Sequence, residues 1–306
     1  MTPKTQHTRW IKEEAQRLGF DYCGISEAVK LEEDAPRLEQ WLKQGRHGQM
    51  HYMEHHFEKR LDPRLLVPGA RSVVSFLYNY YLPSPPQAGG SISRYASGED
   101  YHDVLRSKLK ALAAAMHDKI GDISGRVFVD SAPVLERRWA QRSGLGWMGK
   151  NANLINKQGG SFFFLAEWIT ELELDYDGPV KDYCGTCTRC LDACPTQAIT
   201  APGEVDGSRC IAYFTIELKE QLPASMKGSF QDWIFGCDIC QEVCPWNRFS
   251  TPNREPRFAP LEAFDGMQMK DWMEMTESVF KKTFGSSPLS RTGLAGMKRN
   301  VKFAQE

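Results

Sequence analysis

Cys184-Gly-Thr-Cys187-Thr-Arg-Cys190-Leu-Asp-Ala-Cys194-Pro195 decides the reading of this chain, and Cys237-Asp-Ile-Cys240-Gln-Glu-Val-Cys244-Pro245 answers it about fifty residues later. Eight of the nine cysteines lie from Cys184 to Cys244. The first arm has C-x2-C-x2-C-x3-C-P spacing. In such an arm three closely spaced thiolates wrap one iron-sulfur cube, and the fourth, at a Pro-marked turn, ligates the other. The second arm ends in the same C-x3-C-P step.

The ligand count closes under that crossover rule. Cube one takes Cys184, Cys187, Cys190 and Cys244; cube two takes Cys194, Cys237, Cys240 and, from the segment between the arms, Cys210. Cys23 is left over and reads as a small buried hydrophobe. Paired structural zinc sites also use C-x2-4-C pairs, but three cysteines in succession followed by C-P suit a cube better. A disulfide framework does not suit a long chain without a secretory signal.

Composition bounds the rest. The 306 residues allow one large domain or two ordinary ones, and 41% hydrophobic with 25% charged residues describes a soluble globular protein. The polar start, Met1 to Trp10, has no twin-Arg pair and no apolar run behind it, and nothing reaches the length of a membrane span. The expectation is a cytoplasmic protein with reduced thiols and no membrane contact. A net charge of -1 does not advertise nucleic acid, although Lys281, Lys282, Arg291, Lys298, Arg299 and Lys302 face a single acid, Glu306, near the C-terminus. That surplus fits a phosphate backbone or a solvated helical face.

Along the chain, Trp10, Ile11, Ala15 and Leu18 share a helical face closed by Gly19, and a short strand is expected over 20–25. Leu38, Trp41 and Leu42 mark a second helix. His51, His55 and His56 lack a matching second ligand cluster, so they read as a solvated or packed face. Val73 to Tyr78 is a near-continuous apolar run, a strand buried on both faces. Val104, Leu105, Leu109, Leu112, Met116 and Ile120 carry a long amphipathic helix that opens near Asp100. A strand over 126–130 ends at Asp130, either an active-site acid or a cap, and Ser131-Ala-Pro133 is read as the start of a helix running to Gly144. Gly144 to Asn153 packs three glycines, Trp147, Lys150 and two amides into ten residues without the spacing of a phosphate loop. A further strand is expected over 161–170.

Two cubes beside a domain more than twice their size point to electrons delivered to something that domain holds, and no Rossmann fingerprint announces a flavin or nicotinamide. Taken together, Gly48-Gln-Met50-His-Tyr52-Met53, Arg94-Tyr95-Ala-Ser-Gly98-Glu-Asp100-Tyr101-His102, Val129-Asp130-Ser-Ala-Pro133-Val-Leu-Glu136-Arg137, Gly146-Trp147-Met-Gly149-Lys150-Asn151 and the two C-P arms resemble the epoxyqueuosine reductase family over nearly the whole chain.

The resemblance implies an α/β (α+β) fold: a nitroreductase-like cobalamin-binding domain (1–175), a ferredoxin-like domain with two [4Fe-4S] clusters (176–250, its 200–235 insertion packed on the first) and a C-terminal helical segment (251–306). It implies reduction of epoxyqueuosine to queuosine at the wobble position of tRNA, with cobalamin, a low-potential donor such as flavodoxin or ferredoxin, and Asp130 as proton donor. Such a donor near neutral pH needs a raised pKa. Cobalamin contacts are expected from Arg60, Tyr95, Ser97, Tyr101, Lys150, Asn153 and Ser161. Asp100-Tyr-His102 lacks the glycine of D-x-H-x-x-G, so no protein His is expected on cobalt. Many members of the family continue into a helical extension, whereas this chain stops at Glu306, so fewer tRNA contacts are expected. The rivals are a corrinoid reductive dehalogenase, a class that typically carries the absent twin-Arg signal, and a non-catalytic electron carrier.

Overall fold

The computed structural model describes residues 2–305. Four strands make the main sheet: β1 (Tyr22–Glu27), β2 (Ser72–Asn79), β3 (Gly125–Phe128) and β4 (Phe163–Thr170), in the order β1-β2-β4-β3 with every neighbour antiparallel. The fold is therefore mixed helix and strand with an antiparallel sheet. Val74 stands opposite Trp168, and Phe128 opposite Glu167. Strand β2 is buried on both faces, as its unbroken apolar run predicts, because the helices Pro3–Arg17 and Tyr101–Ile120 cover one side and the helix Glu136–Arg142 with its neighbouring loops the other.

Helix α1 (Pro3–Arg17) starts at Thr2, whose side chain accepts the Thr5 N–H, and the long α2 (Tyr101–Ile120) starts at Asp100, whose carboxylate accepts the His102 N–H. Both helices lay apolar stripes on the sheet, where Ile11, Ala15, Val104, Leu105, Leu109 and Leu112 join Val74, Phe76, Ala166 and Trp168 in one core. No helix among the described residues is long and apolar enough to cross a membrane.

Two expected boundaries move. Strand β3 ends at Phe128, and α3 (Glu136–Arg142) begins five residues after Ser131. Asp130 has φ +53°, so the chain folds back on itself and Ser131 to Leu135 forms tight turns instead of a first helical turn.

In the cysteine-bearing part, the short helices Arg189–Ala193 and Ile239–Glu242 pack together, and Cys194 and Cys244 follow them at Pro-marked ends. The segment between the arms reaches the larger domain: Trp233–Phe235 pairs in parallel with Ser91–Ile92, and the Tyr213 hydroxyl accepts the Gln49 N–H at 2.9 Å. Residues beyond 251 build a second core in which Phe264, Trp272, Phe280, Phe284, Met297 and Val301 surround Ile92, Ile234 and Phe235. The site below therefore sits where three stretches of chain meet.

Candidate active site

The eight cysteines separate into two groups. Cys190 interacts electrostatically with Cys244, Cys184 and Cys187, and these four line one enclosed cavity of about 80 Å³. Cys210 interacts with Cys194, Cys237 with Cys210 and Cys240, and Cys240 with Cys210, with Cys194 and also with Cys190 of the first group, so the two groups lie close together.

Burial pushes the Cys190 thiol up to about 11 and Cys240 up to about 12, so thiolates here depend on bound cations. Donors already point at sulfur: the Ala198 N–H at 3.3 Å from Cys194 and the Trp147 indole N–H at 3.4 Å from Cys184. Such bonds tune cluster potentials.

Asp130 lies above the second group. Its backbone N–H donates to Glu136 Oε1 at 2.6 Å. Its Oδ2 accepts the Tyr101 hydroxyl at 2.9 Å and stands 3.2 Å from His102 Nε2, while His102 Nδ1 is 2.7 Å from Asp100. The Tyr101 ring is stacked between His102 and Phe164.

The expectation of a raised Asp130 pKa is not met in this arrangement. Burial pushes the carboxyl up, but the His102 hydrogen bond and charge, the Tyr101 hydroxyl and Arg291 outweigh it and hold Asp130 below its usual range. Burial likewise opposes the His102 imidazolium, yet its bonds to Asp100 and Asp130 push it up to about 9. At neutral pH the pair holds one proton, on His102.

Beneath it lies a carboxyl pair. Glu167 is fully buried on β4, with no geometrically resolved hydrogen bond to either oxygen. Burial and the neighbouring Asp130 charge push Glu136 up to about 8; burial and Glu136 push Glu167 well above the usual range. Both are neutral at pH 7.

Asp130, Glu136 and Cys237 line one cavity of about 300 Å³. Its aromatic wall is Tyr95, Tyr101, Phe163 and Phe164, and its polar rim includes Ser93, Arg137, Asn153, Ser161 and Gln241. A side chain cannot replace Gly236 there: φ is +69°, and a Cβ would fall 2.1 Å from Ser93 Oγ. A second cavity of about 550 Å³ adjoins it, sharing Arg137, and is lined by Trp41, Met50, Met53, Leu135 and Met148 with Arg37 and Arg138. Together these fit a large corrinoid, with hydrogen-bonding groups for its amide rim and an apolar, arginine-edged extension for its nucleotide tail. Both ring nitrogens of His102 are engaged, by Asp100 and Asp130.

Of the contacts expected from sequence, Tyr95, Tyr101, Asn153 and Ser161 reach this cavity. Three do not. Arg60 is buried and donates to the carbonyls of Tyr52 and His55; the buried Ser97 hydroxyl bonds to the Arg94 carbonyl; Lys150 donates to the Gly185 carbonyl beside the first cysteine group. The Gly144 to Asn153 loop is a tight hairpin pairing Trp147–Met148 with Leu154–Ile155, and a Cβ on Gly146 would fall 2.3 Å from the Ile155 carbonyl oxygen. Sequence reading does not choose His102, Glu136, Arg137 or Gln241, although each stands inside a quoted motif, nor Glu167, which carries no spacing signal.

His51 meets a histidine not singled out, His47, over Glu54 Oε1 at 3.3 and 2.6 Å. His55 and His56 are exposed. In the C-terminal basic set, Arg291 grips the Glu217 carboxylate at 2.9 Å, and Arg299 donates to the carbonyls of Phe214, Leu218 and Glu220. Those two guanidiniums are committed internally.

Two family models match the chain: "4Fe-4S double cluster binding domain" over residues 183–247 and "Epoxyqueuosine reductase QueG, DUF1730" over residues 60–131. An epoxyqueuosine reductase of Cellulophaga algicola is 57% identical over 305 residues, 99% of each chain. A solved epoxyqueuosine reductase with an epoxyqueuosine-modified tRNA-Tyr stem loop is 32% identical with a TM-score of 0.91, covering 98% of this chain and 80% of its own. A Bacillus subtilis epoxyqueuosine reductase whose catalytic aspartate loop is swung out of the active site is 32% identical with a TM-score of 0.90, covering 98% and 81%.

Proposed function

This chain belongs to the epoxyqueuosine reductase family, and on that premise we propose how its own residues carry out the reduction of epoxyqueuosine to queuosine in tRNA. It is an oxidoreductase with a double [4Fe-4S] cluster domain. The observation that carries the reading is the convergence of Asp130 and the cluster ligand Cys237 on one cavity, which joins an acid to an electron source.

Cobalamin is the cofactor of this family, and when bound it supplies a strongly reducing, nucleophilic cobalt at the substrate. We assign its corrin amides to Tyr95, Asn153, Ser161, Arg137 and Gln241 and its tail to the adjoining cavity. Cys184, Cys187, Cys190 and Cys244 would hold one cluster and Cys194, Cys210, Cys237 and Cys240 the other, and the second would supply electrons beside the cavity that Cys237 lines.

Removing an epoxide oxygen as water takes two electrons and two protons. The His102–Asp130 pair holds one proton beside the cavity. When a base fills the cavity and expels water, desolvation favours the neutral pair, so the proton moves from His102 to Asp130 and on to the epoxide oxygen. Asp130 is thus the donor at the substrate, and the second proton, taken up from solvent by His102, reaches the leaving oxygen by the same route, so that it departs as water. Tyr101 orients the carboxyl.

The base is turned out of the anticodon loop to reach Asp130. Tyr52, 46% exposed and interacting with Arg291 and with Asp130, offers a ring for it to stack on. Lys281, Lys282, Lys298 and Lys302 take phosphates. A tRNA substrate places the enzyme in the cytoplasm, where a low-potential carrier such as flavodoxin or ferredoxin supplies the electrons.

The test is mass analysis of epoxyqueuosine-containing tRNA after anaerobic incubation with reconstituted protein, cobalamin and a low-potential reductant. Loss of one oxygen mass supports the reading, and unchanged tRNA with intact clusters and bound cobalamin overturns it.

A further inference from the structure

The two clusters are unequal in their access to solvent. Cys237, of the second group, lines the Asp130 cavity. The first arm runs over the surface, where Lys181, Asp182, Tyr183, Gly185, Thr186, Thr188 and Arg189 are all exposed between half-buried ligands. None of the first group's cysteines lines the Asp130 cavity. The first cluster is the outer one, and an external donor meets it first.

Its surroundings have a distinct chemistry. Trp147, Tyr183 and Trp246 pack edge on edge above it, with centroids 5.0 to 5.8 Å apart, and Phe249 continues the group at 5.9 Å from Trp246. Tyr183 and Phe249 are each 39% exposed, which is unusual for rings that could have been buried. Cations ride on them: Lys157 lies 4.8 Å from the Tyr183 centroid and Arg248 4.4 Å from that of Phe249. Arg189 lines the cluster cavity itself. Lys157, Arg189 and Arg248 form no ion pair among the described residues, whereas the nearby Asp182 and Asp192 accept local hydrogen bonds from the Cys184 N–H and the Thr188 hydroxyl. In a chain of net charge -1 this is a local basic surplus around an aromatic centre.

We propose that this face, centred on Tyr183, Trp246 and Phe249 and edged by Lys157, Arg189 and Arg248, is the docking surface for an acidic one-electron carrier protein. Complementary charge steers such a partner and fixes its orientation, and the aromatic centre supplies a desolvated contact over the cluster. In each encounter the carrier loses one electron and the first cluster gains it. Two encounters supply the two electrons that the epoxide needs. The inference rests on the electron-relay reading of the clusters, but it does not require that tRNA be the substrate.

The experiment is rapid-mixing reduction of the fully loaded protein, without tRNA, by reduced flavodoxin and separately by dithionite, following cluster absorbance. Lys157→Glu and Arg248→Glu, neither of them a cluster ligand or an active-site residue, are compared with the parent chain. The expected result is a fall of about tenfold or more in the flavodoxin rate, with a flatter salt dependence, and dithionite rates within about twofold of the parent. Unchanged flavodoxin rates in both variants would overturn the proposal. So would equal losses with both reductants, which would place the effect at the cluster. Weaker tRNA binding with an unchanged flavodoxin rate would assign the face to RNA, and also overturns it.

Discussion

The backbone N–H of Asp130 donates to Oε1 of Glu136 at 2.6 Å, so the residue that opens α3 holds the turn on which the acid stands. Asp130 occupies a left-handed conformation that a non-glycine residue rarely adopts without fixed partners. Glu136, Tyr101 and His102 are those partners.

Asp130→Asn keeps the size of the side chain and removes its proton. Turnover is expected to fall by about 10² to 10⁴, the usual contribution of a positioned acid, while both clusters and cobalamin are retained. The same change removes one of the two carboxylates that raise His102. Its imidazole pKa is therefore expected to drop from about 9 while staying above the ordinary value because Asp100 remains. Histidine NMR titration measures this, and an unmoved His102 would separate the two residues.

Glu136 is neutral below about pH 8 and becomes a second anion beside Asp130 above it. As an acid whose folded pKa lies above its unfolded value, it stabilises the fold most at low pH, and that contribution is lost as pH rises through about 8. Turnover and thermal stability should both decline on that limb. Glu136→Gln still accepts the Asp130 N–H and is expected to flatten the limb near pH 8, leaving the His102 limb near 9. A pH profile of kcat at saturating tRNA, paired with melting curves, tests it.

Arg94 is buried between Asp238, at 3.2 Å, and Glu242, at 2.6 Å, and its guanidinium also donates to the backbone carbonyls of Leu82 and Pro83. Arg94→Met leaves the buried Asp238 without its cation. Breaking such a pair costs about 3 to 5 kcal/mol. Denaturant unfolding of the loaded protein measures it, and a loss below about 1 kcal/mol would show that the pair is not stabilising.

The crossover assignment predicts opposite outcomes for two similar cysteines. Cys194→Ser should remove the second cluster although Cys194 sits in the first arm, and Cys244→Ser should remove the first although it sits in the second. Iron content near half of the parent's in each case, with distinct EPR signals remaining, checks both together.

Much was legible without coordinates. The double-cluster domain is picked out by spacing, and the eight cysteines proposed as its ligands with it, because a cube takes its thiolates from a short loop whose reach is set by the number of intervening residues. The long helix from Tyr101 and the doubly buried strand of Ser72–Asn79 follow from periodicity. The Asp130 segment was visible as a motif, but not the left-handed turn that delays α3.

The cavity was legible only in part, and Arg60, Ser97 and Lys150 show why. Each is polar and lies in or beside a motif, yet each turns to a nearby carbonyl because a buried donor must find an acceptor wherever packing leaves one. Sequence alone determined what chemistry the chain carries: cluster ligands, a candidate acid, and the segments that hold them. Tertiary structure alone decided which groups share a proton. Tyr101 and Asp130 are 29 residues apart, and Glu136 and Glu167 meet across two elements, so their pKa shifts arise from burial and proximity that no local spacing encodes.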